Sequence, residues 1–523
     1  MPKCLTLSLT KLELECNTLV STKTATTKNS IILPATPTSL RKNGIISEKY
    51  NTIRNKIINA KTTASGYNTK LRPYQDYALN FLLQPELKCK AIFDEQRLGK
   101  TPTTITYLKI TNQNALIVTP KSLLYQWKTE YNEWYDNNVI VIDGNISKRQ
   151  RLYTKINKST SVLISYDTLK QDVDTLEKYT KYFNVIVIDE AHRIRNIKNS
   201  RKTQPKTVTA LLSISNKIEK RIALTGTPAA NQSDEIYGIL KFLFPDIFAS
   251  YYYFRDMYFY TDDIYTSRST ITKCNGIFRP GMKHELLEFL ELISIQRKRK
   301  EVMKWLPKYD IQKVKLEFNK MQLEAYDSIK QYYEYKDIIC MSDLEQLTCL
   351  RQITNCPKVL NIDDLGSKFT FIDNYIKDYP EESIIVVSNF TKPLHILKEI
   401  YPNSKLIIGE TSSKDRESIK KAFQNKSINL IFANIAVIKE GFTLDTADTI
   451  IFIDSSYIYT DNIQCMDRLV PVSIERVHEK TQKILLLLLE NSIDEYVYDM
   501  VYIKKATSTD IINNYKKYIA ERK

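Results

Sequence analysis

Residues 94–101 read Asp-Glu-Gln-Arg-Leu-Gly-Lys-Thr and follow a short apolar run at 91–93. The ending Gly-Lys-Thr is typical of a phosphate-binding loop, in which successive backbone N–H groups surround the phosphate oxygens. In such a loop Lys100 brings a positive charge to the outer phosphates, and the hydroxyl of Thr101 ligates Mg²⁺. The usual pattern has Gly where this chain has Asp94, so the segment alone leaves nucleotide binding undecided.

A second cluster of reactive side chains follows the β-branched run at residues 185–188. Such a run predicts a buried parallel strand, and it leads directly into Asp189, Glu190, Ala191 and His192. The carboxyl end of a parallel strand is where an α/β sheet presents its chemistry. We expect Asp189 to hold Mg²⁺, directly or through water, and Glu190 to orient and deprotonate an attacking water. A solvated acidic turn is the alternative, which the order of the two motifs disfavours.

Alternating strand and helix patterns predict that parallel α/β sheets position both motifs. One set begins at Leu71 and a second at Ile384, and only the first carries a phosphate loop. Between them, an aromatic-rich stretch is followed by helical periodicity from His284 to about Arg351. The predicted strands lie at residues 115–118, 139–142, 162–164, 185–188 and 222–224 in the first set, and at 384–387, 406–408, 430–433, 450–453 and 484–489 in the second.

These patterns divide the chain into four predicted regions. Residues 1–66 form a basic accessory segment, a small β domain plus linker that begins with a hairpin. Residues 67–250 form a first lobe that binds nucleotide, and residues 366–523 form a second lobe. Residues 251–365 form an inserted helical subdomain and linker between the two lobes.

The formal net charge of the 523-residue chain is +16, and eleven Lys/Arg against three Glu place half of it in residues 1–70. This basic segment favours a polyanionic partner, and nucleic acid suits a nucleotide-dependent machine better than a membrane surface does. The alternative is a lysine-rich solvated surface from a compositionally biased genome. No apolar run reaches the ~18–20 residues that span a bilayer.

The eight cysteines contain no Cys-x-x-Cys pair, so we expect no structural zinc site. Cys340, Cys349 and Cys356 lie close in sequence but lack metal-ligand spacing. We interpret them as reduced core thiols, which indicates a cytosol-like compartment.

Further motifs continue the series begun by the phosphate loop. They are Leu-Arg-Pro-Tyr-Gln at 71–75, Thr-Pro-Lys-Ser-Leu-Leu-Tyr-Gln-Trp at 119–127, Leu-Thr-Gly-Thr-Pro at 224–228, Leu-Arg-Gln-Ile-Thr-Asn-Cys-Pro at 350–357, Gly-Phe-Thr-Leu-Asp-Thr-Ala-Asp at 441–448 and Gln-Cys-Met-Asp-Arg at 464–468. The series resembles the SNF2-like branch of superfamily 2 helicases, the double-stranded-DNA translocases. The resemblance extends from about Leu71 to Glu495, most of the chain.

Two of these motifs are particular to the SNF2-like branch. Asp-Glu at the start of the phosphate loop is one such trait, and Leu-Arg-Gln-Ile before a proline is the other. The Gly-Phe-Thr-Leu string and the compact chain resemble the bacteriophage and annealing-helicase (branched-DNA) subgroup most closely. The composition, rich in Asn, Lys and Ile, also suggests a bacteriophage or similar genome.

The resemblance implies an α/β fold of two RecA-like parallel-sheet lobes and a DNA-stimulated ATPase that uses ATP and Mg²⁺. It implies a double-stranded DNA translocase or helicase that remodels forks and four-way junctions in replication, recombination or repair. Such a protein is expected to work as a monomer in the cytoplasm, or in the host cytoplasm if it is viral. Two alternatives stay open, namely displacement of proteins from duplex DNA and service as the motor subunit of a nuclease or restriction system.

The resemblance also assigns roles to single residues. The catalytic residues would be Lys100, Glu190 and Arg468. The ATP-binding residues would be Gln75, which reads adenine, with Asp94, Gly99, Lys100, Thr101 and Gly441. The Mg²⁺ ligands would be Thr101 and Asp189, and the residues that couple hydrolysis to DNA contact would be His192, Thr225 and Thr227. The residues that line the tracked DNA strand would be Thr119, Pro120, Ser165, Tyr166, Ser388 and Asn389, for which ordinary strand-end polar residues are the alternative.

Two positions depart from the family pattern. Arg97 replaces the Gly that precedes Leu-Gly-Lys-Thr. In the last motif the family has a second Arg three residues after Arg468, where this chain has Pro471. An arginine finger stabilises charge on the transferred phosphoryl group. Either Arg468 does this alone or another residue such as Arg476 substitutes, and we expect Arg468.

Two clusters outside these motifs have alternative interpretations. The aromatic residues 251–254 are predicted to pack in a core, although they could stack on exposed bases. The basic run at 297–300 could contact phosphate or form a solvated helical face. Trp127 and Trp305 are interpreted as packing residues.

Overall fold

The computed structural model describes residues 48–135, 139–195, 205–229, 233–265, 270–303, 310–438, 444–469 and 481–504. The chain divides into two units, Met1–Val302 and Met303–Lys523. The predicted N-terminal hairpin lies outside the described residues.

A seven-stranded parallel sheet forms the centre of the first unit. Its strands are β1 (Cys89–Ile92), β2 (Ala115–Thr119), β3 (Val139–Ile142), β4 (Ser161–Ser165), β5 (Val185–Asp189) and β6 (Lys220–Leu224), with β9 (Ser294–Ile295) completing it after the hairpin of β7 (Phe259–Tyr265) and β8 (Thr270–Phe278). The order across the sheet is β3-β4-β2-β5-β6-β1-β9. Every residue of β2, β4 and β5 is buried, because helices cover both faces of such a sheet.

Most helices of the first unit bury one face. The helix Leu124–Trp134, for example, buries Leu124, Trp127 and Tyr131, which recur at helical spacing. The α-helices are Glu48–Ala60, Pro73–Leu83, Lys100–Ile110, Leu124–Trp134, Ile146–Tyr153, Tyr166–Gln171, Val173–Glu177, Lys206–Ser215, Ile236–Leu243, Tyr251–Tyr258, Met282–Ile293 and Arg299–Val302. Short 3-10 helices occupy Lys121–Leu123, Thr180–Tyr182, Ala191–Ile194 and Ser233–Glu235.

The aromatic cluster at 251–254 lies on the helix Tyr251–Tyr258 and is only partly core. Phe254 is buried, with its ring centre 5.3 Å from that of Tyr237. Tyr252 and Tyr253 are about half exposed, at 47% and 51%. The core interpretation is therefore correct for Phe254, whereas base stacking stays open for the two exposed tyrosines.

A six-stranded parallel sheet forms the centre of the second unit. Its strands are β10 (Asp310–Leu316), β13 (Ile384–Ser388), β14 (Lys405–Ile407), β15 (Leu430–Asn434), β16 (Thr449–Phe452) and β17 (Lys483–Leu489), and β11 (Glu334–Tyr335) pairs separately with β12 (Ile338–Ile339). The order is β10-β17-β16-β13-β15-β14. The α-helices are Lys320–Tyr332, Asp343–Asn355, Ser367–Asp378, Thr391–Ile400, Ser413–Gln424, Ile435–Ile438, Tyr459–Met466 and Ile493–Tyr498. Pro357–Leu360 and Asp467–Leu469 are 3-10 turns, and Asp499–Ile503 is a π-helical turn.

The structure contains strands at all ten predicted positions, so the prediction of two parallel-sheet α/β lobes is confirmed. The predicted helical insertion at 251–365 spans the division between the units. It contains helices, but also β7 to β12, of which β9 and β10 join the edges of the two sheets.

Two expectations of absence concern membranes and metals. Among the residues that the structure describes, no helix combines the length and the apolar character needed to cross a bilayer. In the same residues, no group of three or more His, Cys, Asp or Glu is arranged to hold a metal ion. Cys340 and Cys356 are buried thiols, and burial raises the pKa of Cys356 to about 12.

Candidate nucleotide-binding site

Four neighbouring strands of the first sheet end at the predicted site. β2, β5, β6 and β1 are adjacent in that order and run parallel, so their carboxyl ends share one edge of the sheet. The phosphate loop follows β1, and Asp189 is the last residue of β5. Thr119 ends β2, and Thr225 follows β6. Parallel α/β sheets bind their ligands at this edge.

The phosphate loop ends at the N-terminus of the helix Lys100–Ile110, whose first backbone N–H groups favour an anion. Gly99 has a φ of +79°, which favours glycine, and a Cβ there would lie 2.1 Å from Nε2 of Gln75, so a larger residue would be strained and would displace Gln75. Nζ of Lys100 donates to the backbone oxygens of Asp94, at 2.8 Å, and Glu95, at 3.3 Å. The side chain of Lys100 therefore hydrogen-bonds to the first two residues of its own loop.

Gln75 is buried and braces the loop from the preceding helix, Pro73–Leu83. Its Nε2 donates to the backbone oxygen of Leu98 at 3.0 Å. Its Oε1 accepts from the backbone N–H of Arg72 at 2.9 Å, which fixes the start of the helix. The structure thus places Gln75 directly beside the phosphate loop, and its contact with adenine stays a prediction.

Asp189 is buried and accepts three hydrogen bonds. Its Oδ2 accepts from Nε1 of Trp127, at 2.8 Å, and from the hydroxyl of Thr119, at 3.1 Å. Its Oδ1 accepts from the backbone N–H of Glu190 at 2.9 Å. Burial, followed by the neighbouring Glu190 charge, raises the pKa of Asp189 to about 6, and the Lys100 charge opposes that rise.

Glu190 is linked to the turn after β6 through His192. Glu190 itself has a left-handed backbone, with φ 49°, which is uncommon for a residue other than Gly and recurs at functional sites. Nδ1 of His192 lies 3.2 Å from Oε2 of Glu190 and 3.2 Å from the hydroxyl of Thr225. That hydroxyl also accepts the backbone N–H of Thr227 at 3.1 Å. The three predicted coupling residues therefore form one continuous chain that begins at Glu190.

The turn after β6 also lies against the phosphate loop. A Cβ on Gly226 would be 3.3 Å from the backbone N of Gln96 and 3.4 Å from the backbone O of Asp94. A side chain at this position would therefore press on the backbone of the phosphate loop. The motifs around Lys100, Asp189 and Thr225 thus meet in one place within the first unit.

The residues at this edge fit a divalent cation. Asp189 and Glu190 are adjacent carboxylates, and the raised pKa of Asp189 reflects the cost of keeping both charged in a buried place. A cation would relieve that cost, and oxygen ligands such as a carboxylate and a threonine hydroxyl are those that Mg²⁺ prefers. Asp189 and Thr101 are the residues that would hold it.

The DNA-lining residues predicted in the first unit have side chains engaged within the protein. Thr119 and Tyr166 are buried and donate to the side chain and the backbone oxygen of Asp189, at 3.1 and 2.7 Å. The hydroxyl of Ser165 accepts from the backbone N–H of Thr168 at 3.1 Å and caps a helix. Pro120 is also buried. DNA contact by these four side chains stays a prediction.

In the second unit, one carboxylate organises the predicted DNA-lining pair. Oδ1 of Asp454 accepts from the Ser388 hydroxyl at 2.7 Å and from the backbone N–H of Asn389 at 2.8 Å. Ser388 is buried, whereas Asn389 is exposed. The other oxygen of Asp454 pairs at 3.0 Å with Arg351, from the Leu-Arg-Gln-Ile motif, which is itself buried. This motif therefore supports the loop that presents Asn389.

The remaining predicted residues are Arg468 and Gly441. Arg468 lies in the turn Asp467–Leu469, is half-buried, and accepts the backbone N–H of Leu444 on its backbone oxygen at 3.0 Å. Gly441 lies outside the described residues, as do Pro471 and Arg476. The role of Arg468 stays a prediction.

A parallel sheet that carries a phosphate loop after β1 and an Asp-Glu pair at the end of β5 is typical of the P-loop nucleoside triphosphatases. Residues 74–360 match the SNF2-related domain, and residues 367–470 match the helicase conserved C-terminal domain. The first match alone covers more than half of the chain, which therefore belongs to the SNF2-related helicase family.

Similar proteins include remodelling, repair and helicase proteins. The ISWI chromatin-remodeling complex ATPase ISW2 of Saccharomyces cerevisiae is 27% identical over 82% of this chain and 40% of its own length. The human DNA repair and recombination protein RAD54B is 25% identical over 85% and 55%. The chain thus spans about half the length of these relatives or less. The Sulfolobus solfataricus SWI2/SNF2 ATPase core in complex with dsDNA matches with a TM-score of 0.40 and 21% identity, over 86% of this chain and 95% of that one.

Trp127 packs in the core, as expected, and its indole N–H also donates to Asp189, which the sequence interpretation did not foresee. Replacing it with Phe keeps the buried ring but removes the N–H donor to Asp189. Because a hydrogen bond to a charged group contributes ~1.5–3 kcal/mol, we expect kcat/KM for ATP to fall about 10- to 100-fold. Loss of the donor also raises the pKa of Asp189 further above its ordinary value, so the acid limb of the pH profile should move to higher pH.

The measurement is kcat/KM for ATP hydrolysis across pH, with Trp134→Phe, at the end of the same helix, as the matched control. If Trp127→Phe and Trp134→Phe have the same kcat/KM and the same acid limb of the pH profile, the hydrogen bond of the Trp127 indole does not contribute to hydrolysis.

Proposed function

We propose that this chain is a DNA-stimulated ATPase that moves along duplex DNA. The observation that carries the proposal is that His192 lies 3.2 Å from both Glu190 and the Thr225 hydroxyl, next to the phosphate loop. A hydrolytic carboxylate connected in this way to a neighbouring turn is suited to an ATPase whose turnover responds to a second ligand.

Each residue of the site has a proposed task. Lys100 and the loop N–H groups bind the phosphates, and Gln75 holds the loop and contacts adenine. Glu190 accepts a proton from the attacking water, and His192 keeps its carboxylate in place. Arg468 stabilises the charge that develops on the transferred phosphoryl group. Mg²⁺, when bound by Thr101 and Asp189, neutralises charge on the phosphates.

The preferred DNA in this proposal is branched DNA, such as a fork or a four-way junction. The concentration of positive charge in residues 1–70 supports a second DNA contact beyond the tracked strand. RAD54B, a relative over most of this chain, is named for DNA repair and recombination. Displacement of proteins from duplex DNA is the second candidate, since ISW2 is named for chromatin remodelling.

The test is ATP turnover and strand displacement with no DNA, linear duplex, forked DNA and four-way DNA. We expect duplex DNA to stimulate turnover and branched DNA to be displaced fastest. Lys100→Ala serves as the control for contaminating activity. If none of these DNAs stimulates ATP turnover, the proposal that the chain moves along duplex DNA is refuted.

The same panel distinguishes the two candidate substrates. Equal activity on linear and branched DNA, together with removal of a protein block from linear duplex, would favour the second candidate. Deletion of residues 1–47 should weaken binding to branched DNA more than it lowers turnover on linear duplex, if the basic segment provides the second contact.

A further inference from the structure

The basic run at residues 297–300 has two different sides. Lys298 and Lys300 are exposed, as a solvated face requires. Arg297 and Arg299 turn instead towards the phosphate loop, where they pair with Asp94 and Glu95. The two arginines therefore belong to the nucleotide site and are engaged with carboxylates.

The guanidinium of Arg297 makes two hydrogen bonds to the carboxylate of Asp94. Nε of Arg297 donates to Oδ1 of Asp94 at 3.0 Å, and a terminal nitrogen donates to Oδ2. The other terminal nitrogen donates to the backbone oxygen of Tyr74, and the guanidinium lies 5.4 Å from the centre of the Tyr74 ring. Asp94 is only 2% exposed, so this is a buried, bidentate ion pair.

The backbone of the same segment runs along the phosphate loop. Phe93 N–H donates to the oxygen of Ile295 at 2.8 Å, and Glu95 N–H donates to the oxygen of Arg297 at 3.1 Å. The backbone N–H of Arg299 donates to Oε2 of Glu95 at 2.8 Å. Residues 294–297 thus extend the pairing of β9 with β1 along the loop, and the N–H of Arg299 continues the contact to the Glu95 side chain.

We propose that Arg297 is a positioning residue for the phosphate loop, acting through Asp94. The backbone oxygen of Asp94 accepts Nζ of Lys100, so a shift of Asp94 displaces the lysine that binds phosphate. Asp94 stands where other phosphate loops have Gly, and Arg297 is the partner that makes a buried carboxylate tolerable there. The proposal rests on the proposed ATPase function and adds to it the residue that sets nucleotide affinity.

The test is binding of mant-ATP, a fluorescent ATP analogue, to the full chain, together with KM and kcat for ATP. In Arg297→Ala the orphaned Asp94 carboxylate should distort the loop, so we expect the Kd and KM to rise about tenfold or more with kcat at saturating ATP much less affected. Lys298→Ala, in the same run but exposed, is the matched control and should stay near wild type. Binding to duplex DNA should be retained in both.

Two further variants separate positioning from general destabilisation. In the double variant Asp94→Ala/Arg297→Ala no carboxylate is left unpaired, so its Kd should be lower than that of Arg297→Ala alone. Arg297→Lys keeps the charge but loses the two-point contact, and should lie between wild type and Arg297→Ala. This variant carries the test if Arg297→Ala does not fold.

The proposal would be overturned if Arg297→Ala and Lys298→Ala had the same Kd and KM. If Arg297→Ala does not fold, wild-type Kd and KM in Arg297→Lys would overturn it. A wild-type chain that hydrolyses no ATP would instead overturn the proposed function. The two failures are therefore distinguishable.

Discussion

Replacing Glu190 with Gln is expected to lower ATP turnover by about 10²–10⁴-fold, the range that a positioned general base contributes. Gln has the shape of Glu but does not accept a proton from water at neutral pH. Its amide occupies the same place beside His192, so the hydrogen bond between His192 and Thr225 should persist. The measurement is single-turnover ATP hydrolysis beside equilibrium binding of mant-ATP and duplex DNA, and both affinities should stay near wild type.

The control for Glu190→Gln is Glu219→Gln, which neutralises an exposed carboxylate on the same unit. Unchanged turnover in Glu190→Gln would remove Glu190 from the catalytic step. Loss of DNA or nucleotide affinity in parallel with turnover would indicate instead that the carboxylate has a structural task.

Replacing Arg468 with Ala is expected to lower kcat by about 10³–10⁵-fold, because an arginine finger contributes on that order to phosphoryl transfer. Arg468 lies on the second unit, in the turn Asp467–Leu469. Arg468→Lys keeps the charge but not the planar fork, and should recover only part of the rate. The measurement is kcat at saturating ATP and duplex DNA.

Two comparisons decide whether Arg468 acts alone. Lys377→Ala removes an exposed charge from the same unit and should be close to wild type. Arg476→Ala removes the other candidate finger. A severe loss in Arg476→Ala with a mild one in Arg468→Ala would reverse the assignment.

The sheets were predictable because their central strands are buried on both faces. A strand that is buried on both faces is apolar at every position, as at 185–188 and 484–489. An element with one solvated face does not have such continuous apolar runs. β10 was not predicted, because most residues of this edge strand are exposed and its sequence mixes lysines with aliphatic residues. β9 was not predicted because two residues carry no periodicity.

Site residues could be predicted where one short motif contains them. They could not be predicted where a residue acts on a partner in a different motif. Lys100, Asp189 and Glu190 stand in short strings whose order indicates their tasks. Trp127 and Arg297 act on carboxylates distant in sequence, at Asp189 and Asp94. Trp127 still left a signal, because a buried indole N–H needs an acceptor. The run at 297–300 showed only that the segment is basic.

The ammonium of Lys100, the proposed phosphate ligand, is already hydrogen-bonded within the protein. Its ammonium donates to the backbone oxygens of Asp94 and Glu95, so phosphate must compete with two carbonyl groups. The affinity then depends on how much stronger the hydrogen bonds of Lys100 to phosphate are than its hydrogen bonds to the two carbonyl groups. A singly charged anion gains little from such an exchange, whereas a polyphosphate with several negative charges gains much more. If Lys100 binds phosphate as proposed, these two hydrogen bonds would favour ligands with several negative charges over singly charged anions.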